Sequence, residues 1–275
     1  MVRLWQIFHT MKFMPTQSHG PASVTRSIHR AIALLRLLST RTRPGWRLSD
    51  LAQHAGLDPA TVHRLLASLC DEGLATRVPG SLRYSVGQMA YELGLAARPY
   101  FDLDHLAGHR LAALATELGG TLFLKMRSGV DSVCIARHDG GAPVQSLLLE
   151  VGGRRPLCLT AGGVAIYLHL PGIDQQAVEH DNLARIERDF ADRRSGVLRM
   201  LKRSRRLGFG LNLGDTVPGI AAVSVAVLAP GGTAVAALSL ARAVPSLPQA
   251  DASRLATQLR LHAAALEPLL AGLRL

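Results

Sequence analysis

Residues 48–84, LSDLAQHAGLDPATVHRLLASLCDEGLATRVPGSLRY, constrain the fold of this chain more than any other stretch. Ser49 is a good N-cap ahead of a short helix over residues 51–55, because its hydroxyl can accept from free amides of the first turn. Gly56-Leu57 makes a tight connection. Asp58 and Pro59 then stand as N-cap and first helical residue of a second helix. In that helix Val62, Leu65, Leu66 and Leu69 recur at i, i+3, i+4 and i+7, which predicts one buried stripe. Its other face carries Ala60, Thr61, His63, Arg64, Ala67 and Ser68, and Gly73 closes it. Residues 74–78 and 82–86 flank Pro79-Gly80-Ser81, the pattern of a hairpin. This order of elements predicts a winged helix-turn-helix, a shape that places its second helix in a DNA major groove.

Two short helices and a hairpin also occur in domains that touch no nucleic acid, so the outward face of the second helix matters. Solvated helix faces are usually dense in Glu and Lys, whereas this one is short-chained and uncharged apart from Arg64. Such a surface can approach base edges and phosphates without steric or electrostatic cost. Charge points the same way. The net charge is +11, and residues 1–98 carry 12 Lys+Arg against 5 Asp+Glu, leaving 19 against 15 for the remainder. Basic charge per residue is therefore concentrated in the part holding the winged pattern, which favours a polyanionic partner. Lysine is scarce, with only Lys12, Lys125 and Lys202, so much of the basic excess is arginine of the kind a GC-rich genome produces.

The length of 275 residues allows two domains, and an apolar fraction of 48% allows an ample core. Cys70, Cys134 and Cys158 are too few and too widely spaced for a disulfide framework or a Cys-x-x-Cys metal site, which suits a reducing cytoplasm. The longest apolar stretch, residues 219–241, is broken by Pro230-Gly231-Gly232 and reads as a hairpin, so no membrane span is expected. Residues 1–22 are expected to form a loosely ordered tail without a signal peptide.

In chain order, residues 25–39 predict a helix with Ile28, Ala31, Ile32, Leu35 and Leu38 facing inward, and residues 86–97 a linker helix stopped by Pro99. Residues 103–118 predict an amphipathic helix. Strands are expected over 121–126, 132–136 and 144–151, then a helix over 160–170 with Thr160 as N-cap. Helices over 174–183 and 195–207, a strand over 209–212, a hairpin over 220–228 and 233–241, and a terminal helix over 248–269 complete an α+β arrangement.

Five stretches together carry a resemblance: RSIHRAIALLRLL (26–38), LSDLAQHAGLDPATVHRLLASLCDEGL (48–74), LRYSVGQMAYELG (82–94), VGGRRPLCLTAGG (151–163) and GDTVPGIAAVSVAVLAPGGTAVAALSLA (214–241). Over roughly residues 23–269 the chain resembles IclR-type (isocitrate lyase regulator) transcription factors. The resemblance implies an N-terminal winged helix-turn-helix domain (23–86), a linker helix (87–101) used in dimerisation, and a C-terminal GAF-like α+β effector domain (102–275). It also implies an operator in double-stranded DNA, a small-molecule effector of organic-acid type, and a homo-oligomer, dimer or dimer of dimers.

Transferred position by position, Ala60, Thr61, His63, Arg64 and Ser68 match the family's recognition-helix segment. Arg64 is expected on a guanine or a phosphate, and Thr61 on a phosphate or a thymine methyl. Ser49 offers backbone amides to a phosphate, and Arg77 and Arg83 flank the wing tip. In the effector half, Thr160, Ala161 and Gly162 match a helix start beside the family's ligand cavity, a place suited to a carboxylate. Asp215 matches a commonly acidic position. Ala222 and Ser239 lie on strands whose counterparts line the cavity, where Ser239 could donate to an acid. Val164, Ala222 and Ala241 replace residues that are often polar in the family, so a more apolar or aromatic ligand fits the pattern.

Enzyme chemistry is not indicated. His105 and His109 are spaced i, i+4 but lack a third ligand, and His109 falls on the apolar stripe of its predicted helix, as a core or interface histidine would. The chain has no Gly-x-Ser-x-Gly, phosphate-binding loop or dinucleotide fingerprint, and Cys158 with His169 is the one nucleophile–base pair to consider. Gly152-Gly153-Arg154-Arg155 could hold an anion but reads as a strand-to-helix connection. Residues 202–206, KRSRR, read as a solvated helix face. No cofactor is implied. The alternative function is a ligand-binding or scaffolding protein whose winged domain contacts protein.

Overall fold

The computed structural model describes residues 22–41, 44–101, 103–141 and 150–271. Its N-terminal part packs three helices, α1 (Ala22–Leu38), α2 (Leu48–Ala55) and α3 (Pro59–Asp71), on a three-stranded sheet. The strands are β1 (Trp46–Arg47), β2 (Ala75–Arg77) and β3 (Arg83–Val86), in the order β1-β3-β2. Leu34, Leu38, Leu51, Val62 and Leu66 are fully buried around Trp46. Each such side chain contributes about 1.5–3 kcal/mol relative to exposure.

Two details of this part differ from the sequence reading. Ser49 is the second residue of α2 rather than its cap; Arg47 holds the cap position without a side-chain bond, because β1 runs directly into the helix. Ile28 and Ile32 point outward, at 59% and 44% exposure, while Leu34 and Leu38 enter the core. α1 is apolar on more than one side, and the face that packs is the one meeting α2 and α3.

α4 (Gln88–Phe101) follows β3 and runs through Pro99 instead of stopping before it. A proline this near the C-terminal end forgoes one backbone hydrogen bond without ending the helix. α5 (Leu103–Leu118) then leads into a six-stranded antiparallel sheet. Its strands are β4 (Thr121–Ser128), β5 (Asp131–Asp139), β6 (Arg154–Pro156), β7 (Gly210–Leu213), β8 (Ile220–Leu228) and β9 (Ala234–Ala243). They lie in the order β6-β5-β4-β9-β8-β7. The strand expected over residues 144–151 falls largely outside the described residues, and β6 takes the edge beside β5.

One sheet face, with Leu122, Leu124, Val223, Val225 and Leu238, packs on α5 and on α9 (Ala252–Ala271). The other is covered by α6 (Ala161–Tyr167), α7 (Gly172–Asp189) and α8 (Arg194–Leu207). His109 on α5 is exposed, not a core residue. The basic run at 202–206 is only partly a solvated face. Arg203 donates to the Leu211 carbonyl at 2.9 Å, Arg205 donates to Tyr167 Oη at 2.6 Å, and buried Ser204 accepts from the Leu211 amide. No described helix is long and apolar enough to cross a membrane.

Candidate nucleic-acid interface and effector site

Gly56 makes the turn between α2 and α3 in the left-handed region (φ 61°), where a side chain would be strained. The Asp58 carboxylate accepts the Thr61 amide at 2.8 Å, and hydrogen bonding by Thr61 holds the Asp58 carboxyl below its ordinary value. With Pro59 at the first helical position, this cap fixes where α3 starts and therefore which residues face out. Val62, Leu66 and Leu69 are buried; Ala60, His63, Arg64, Ala67 and Ser68 are exposed, and Thr61 is half-buried at the margin. Arg64 donates to Thr61 Oγ1 at 3.3 Å, and Ser68 bonds back to the Arg64 carbonyl. The outward strip is short-chained with a single cation, and no described element covers it.

Ser49 is exposed in the first turn of α2, its hydroxyl donating to Asp50 at 3.2 Å. The wing residues divide. Arg77 on β2 is exposed, whereas Arg83 on β3 is half-buried and donates to the Gly45 carbonyl at 3.0 Å, tying the wing to the segment before β1.

The second constellation lies where the start of α6 meets the sheet. Strand register puts Thr121, Phe123 and Lys125 of β4 on one face with Ala241, Ser239 and Ala237 of β9 and Ala222, Ser224 and Ala226 of β8. Thr160 caps α6 by accepting the Gly163 amide at 3.2 Å. A Cβ on Gly162 would come within 2.7 Å of Ser239 Oγ and 3.0 Å of Lys125 Cδ, so only glycine lets the helix sit this close. Ser239 is bonded to Ser224 at 2.8 Å.

Thr160, Ala161, Gly162, Ser239 and Ala222 thus share one region. Asp215 does not join them. Its carboxylate is engaged by Arg203, lies 3.4 Å from Arg199 Nε and accepts the Leu213 amide at 3.0 Å, bracing the loop after β7 against α8.

Lys125, which the sequence reading passed over, stands at the centre. It is 3% exposed, and its ammonium donates to Thr160 Oγ1 at 3.1 Å. No carboxylate pairs with it among the described residues. Burial pushes its pKa down to about 8; the Cys134 thiol opposes this, and Arg155 adds to it. A buried ammonium without a counter-ion is costly, because desolvation is not repaid. Its signal in the sequence is faint: one of three lysines, in alternation with Thr121 and Phe123, with Leu122, Leu124 and Met126 between and beside them.

Cys158 is fully buried, and burial pushes its thiol up to about 12, the reverse of what a nucleophile needs. His169 bonds to the Ala165 carbonyl at 2.9 Å. No cluster of His, Cys, Asp and Glu suited to a metal occurs among the described residues.

Residues 27–79 match the family described as "IclR helix-turn-helix domain", and residues 98–267 match "Bacterial transcriptional regulator IclR C-terminal". The chain is 31% identical to the glycerol operon regulatory protein of Streptomyces griseus, over 87% of this chain and 94% of that one. It shares its fold with an IclR family regulator from Brucella abortus (TM-score 0.70, 17% identity, 93% and 97% of the two chains). It also shares it with an IclR homolog complexed with 4-hydroxybenzoate from Microbacterium hydrocarbonoxydans (TM-score 0.60, 19% identity, 90% and 99%). Both halves match the family and the S. griseus likeness spans most of each chain: the protein belongs to the IclR family of bacterial DNA-binding transcriptional regulators.

Proposed function

We propose that this regulator responds to a small organic acid whose carboxylate pairs with Lys125 beneath the start of α6. The observation that carries the reading is the buried ammonium of Lys125, which meets no carboxylate among the described residues. An entering carboxylate would supply the missing charge, and Thr160 and Ser239 stand close enough to hydrogen-bond it. Phe123, Ala222 and Ala241 offer an apolar wall, which suits an aromatic or branched carbon frame. The 4-hydroxybenzoate held by the Microbacterium hydrocarbonoxydans homolog is a ligand of that chemistry.

On DNA, Arg64, Thr61, His63 and Ser68 on α3, with Ala60 at its start, make the groove contact. Ser49 and Arg77 contact phosphates, and Arg83 acts by holding the wing. The protein works as a homodimer, or a dimer of dimers, in the cytoplasm, where its three free cysteines stay reduced. Exposed apolar residues on α4 (Met89, Tyr91, Leu93, Leu95) and on α1 (Ile28, Ile32) support α1 and α4 as the dimer surface. The functional units are then residues 23–86, the linker 87–101 and the effector unit 102–275.

The test is a pair of ligands differing only in charge. Aromatic carboxylates should raise the melting temperature of the protein, and their carboxamides should not. Equal stabilisation by both members of each pair would remove Lys125 from recognition.

A further inference from the structure

A cleft of about 250 Å³ separates the winged half from the α+β half. Arg41, Trp46 and His54 line it from one side; Arg154 and Arg155 of β6 and Arg188 of α7 line it from the other. Arg185 adds a fifth guanidinium, already paired with Asp131 at 2.9 Å and Asp181 at 3.4 Å. Arg154 lies 3.5 Å from Asp131, and the carboxylates in the lining itself are Glu150 and Asp189. Asp189 is already engaged, accepting from Arg188 at 3.1 Å and facing His54 Nε2 at 2.7 Å. Arg41 lies over the Trp46 ring, 3.9 Å from its centroid, and pairs with no carboxylate among the described residues.

Two donors in the cleft wall also lack acceptors. Trp46 is 2% exposed, and its Nε1 is buried without a hydrogen-bond partner among the described residues; the same holds for Arg154 Nε. Buried donors are nearly always satisfied, so these two leave the cleft wall incompletely paired, although neither atom is open to the cleft in this arrangement. Guanidinium groups match the planar, two-oxygen face of a carboxylate. They stand on both walls, so an anion with more than one carboxylate can engage the two sides at once. The volume corresponds to about eight waters, the scale of a short-chain metabolite and too small for a dinucleotide.

We propose that this cleft binds a small di- or tricarboxylate that ties the winged half to the α+β half, at a site separate from the one beneath α6. Contacts that hold the docked arrangement include His54–Asp189 and Arg155 Nη1 donating to the Thr40 carbonyl at 3.0 Å. Both walls exist only when the halves are docked. The anion therefore shifts the protein toward that arrangement by the ratio of its affinities for the two states.

The chain has two tryptophans, so Trp5→Phe in the full-length protein leaves Trp46 as the only indole. Titrating this variant with citrate at constant ionic strength should change Trp46 emission saturably. Adding Arg41→Gln or Arg154→Gln should weaken the apparent Kd at least tenfold. Lys125→Met, which removes the counter-ion of the α6 site, should leave it unchanged. The proposal is overturned by emission insensitive to citrate, or by undiminished affinity in both arginine variants. Loss of the response in Lys125→Met also overturns it, by assigning the anion to the α6 site. So does an equal response to inorganic phosphate, which marks general charge screening. Arg41 makes no ion pair among the described residues; its replacement removes the stack on Trp46 and Arg154→Gln removes a 3.5 Å contact with Asp131, so the apparent Kd and not the starting emission is compared.

Discussion

Lys125 sits where an ammonium has the least to gain, in the sheet interior with one hydroxyl oxygen for company. Its folded pKa of about 8 lies below the ordinary 10.5. Below about pH 8 both states carry the charge and the folded state bears the full cost. Between 8 and 10.5 the folded protein releases its proton first, so stability rises with pH across that window. Lys125→Met should therefore stabilise the unliganded protein by about 1–3 kcal/mol at pH 7, with the gain shrinking to little above pH 10.5. Denaturant melts at several pH values measure this; a destabilised Lys125→Met at pH 7 would show that the ammonium is better satisfied than its contacts indicate. The same residue gives effector binding a pH dependence. A carboxylate that pairs with the protonated form should lose affinity about tenfold per unit above pH 8, and a flat titration from pH 7 to 10 would contradict the pairing.

At the scale of elements, the recognition helix was legible in the sequence because its boundaries are chemically marked. Asp58-Pro59 fixes the start, and Val62, Leu66 and Leu69 fix the buried side, which leaves only one face for Arg64. α1 was less legible. Ile28 and Ile32 are as apolar as Leu34 and Leu38, and periodicity alone does not say which stripe meets the protein and which is left outside. Lys125 shows the same limit on a strand: alternation says which residues share a face, but only the packing of α6 says that this face is closed. The basic run at 202–206 reads as a solvated face but is one only at Lys202 and Arg206, because the partners of Arg203 and Arg205, namely Asp215, Glu179 and the Leu211 carbonyl, come from other elements. The outward apolar face of α4 carries its own prediction. Leu93→Glu should shift the dimer–monomer equilibrium at least tenfold toward monomer, since it places a charge in a surface meant to be covered. Sedimentation velocity reads this directly, and an unchanged dimer would place the interface elsewhere.

The molecule as a whole joins a short-faced, exposed reading helix to a sheet whose interior holds an uncompensated charge. An effector can alter DNA binding only as far as it favours one placement of the winged halves over another. The basic excess in residues 1–98 makes the DNA step salt-dependent, with log affinity falling linearly against log salt. The central claim is that the outward strip of α3 reads the operator. It is tested most directly by selecting an operator from random duplexes with the wild-type protein, then comparing wild type and Arg64→Ala on that duplex and on a scrambled one. The account predicts that Arg64→Ala loses about 1–3 kcal/mol on the operator and far less on the scrambled duplex. Equal affinities of the two proteins for the operator, with the preference over scrambled DNA intact, would contradict it.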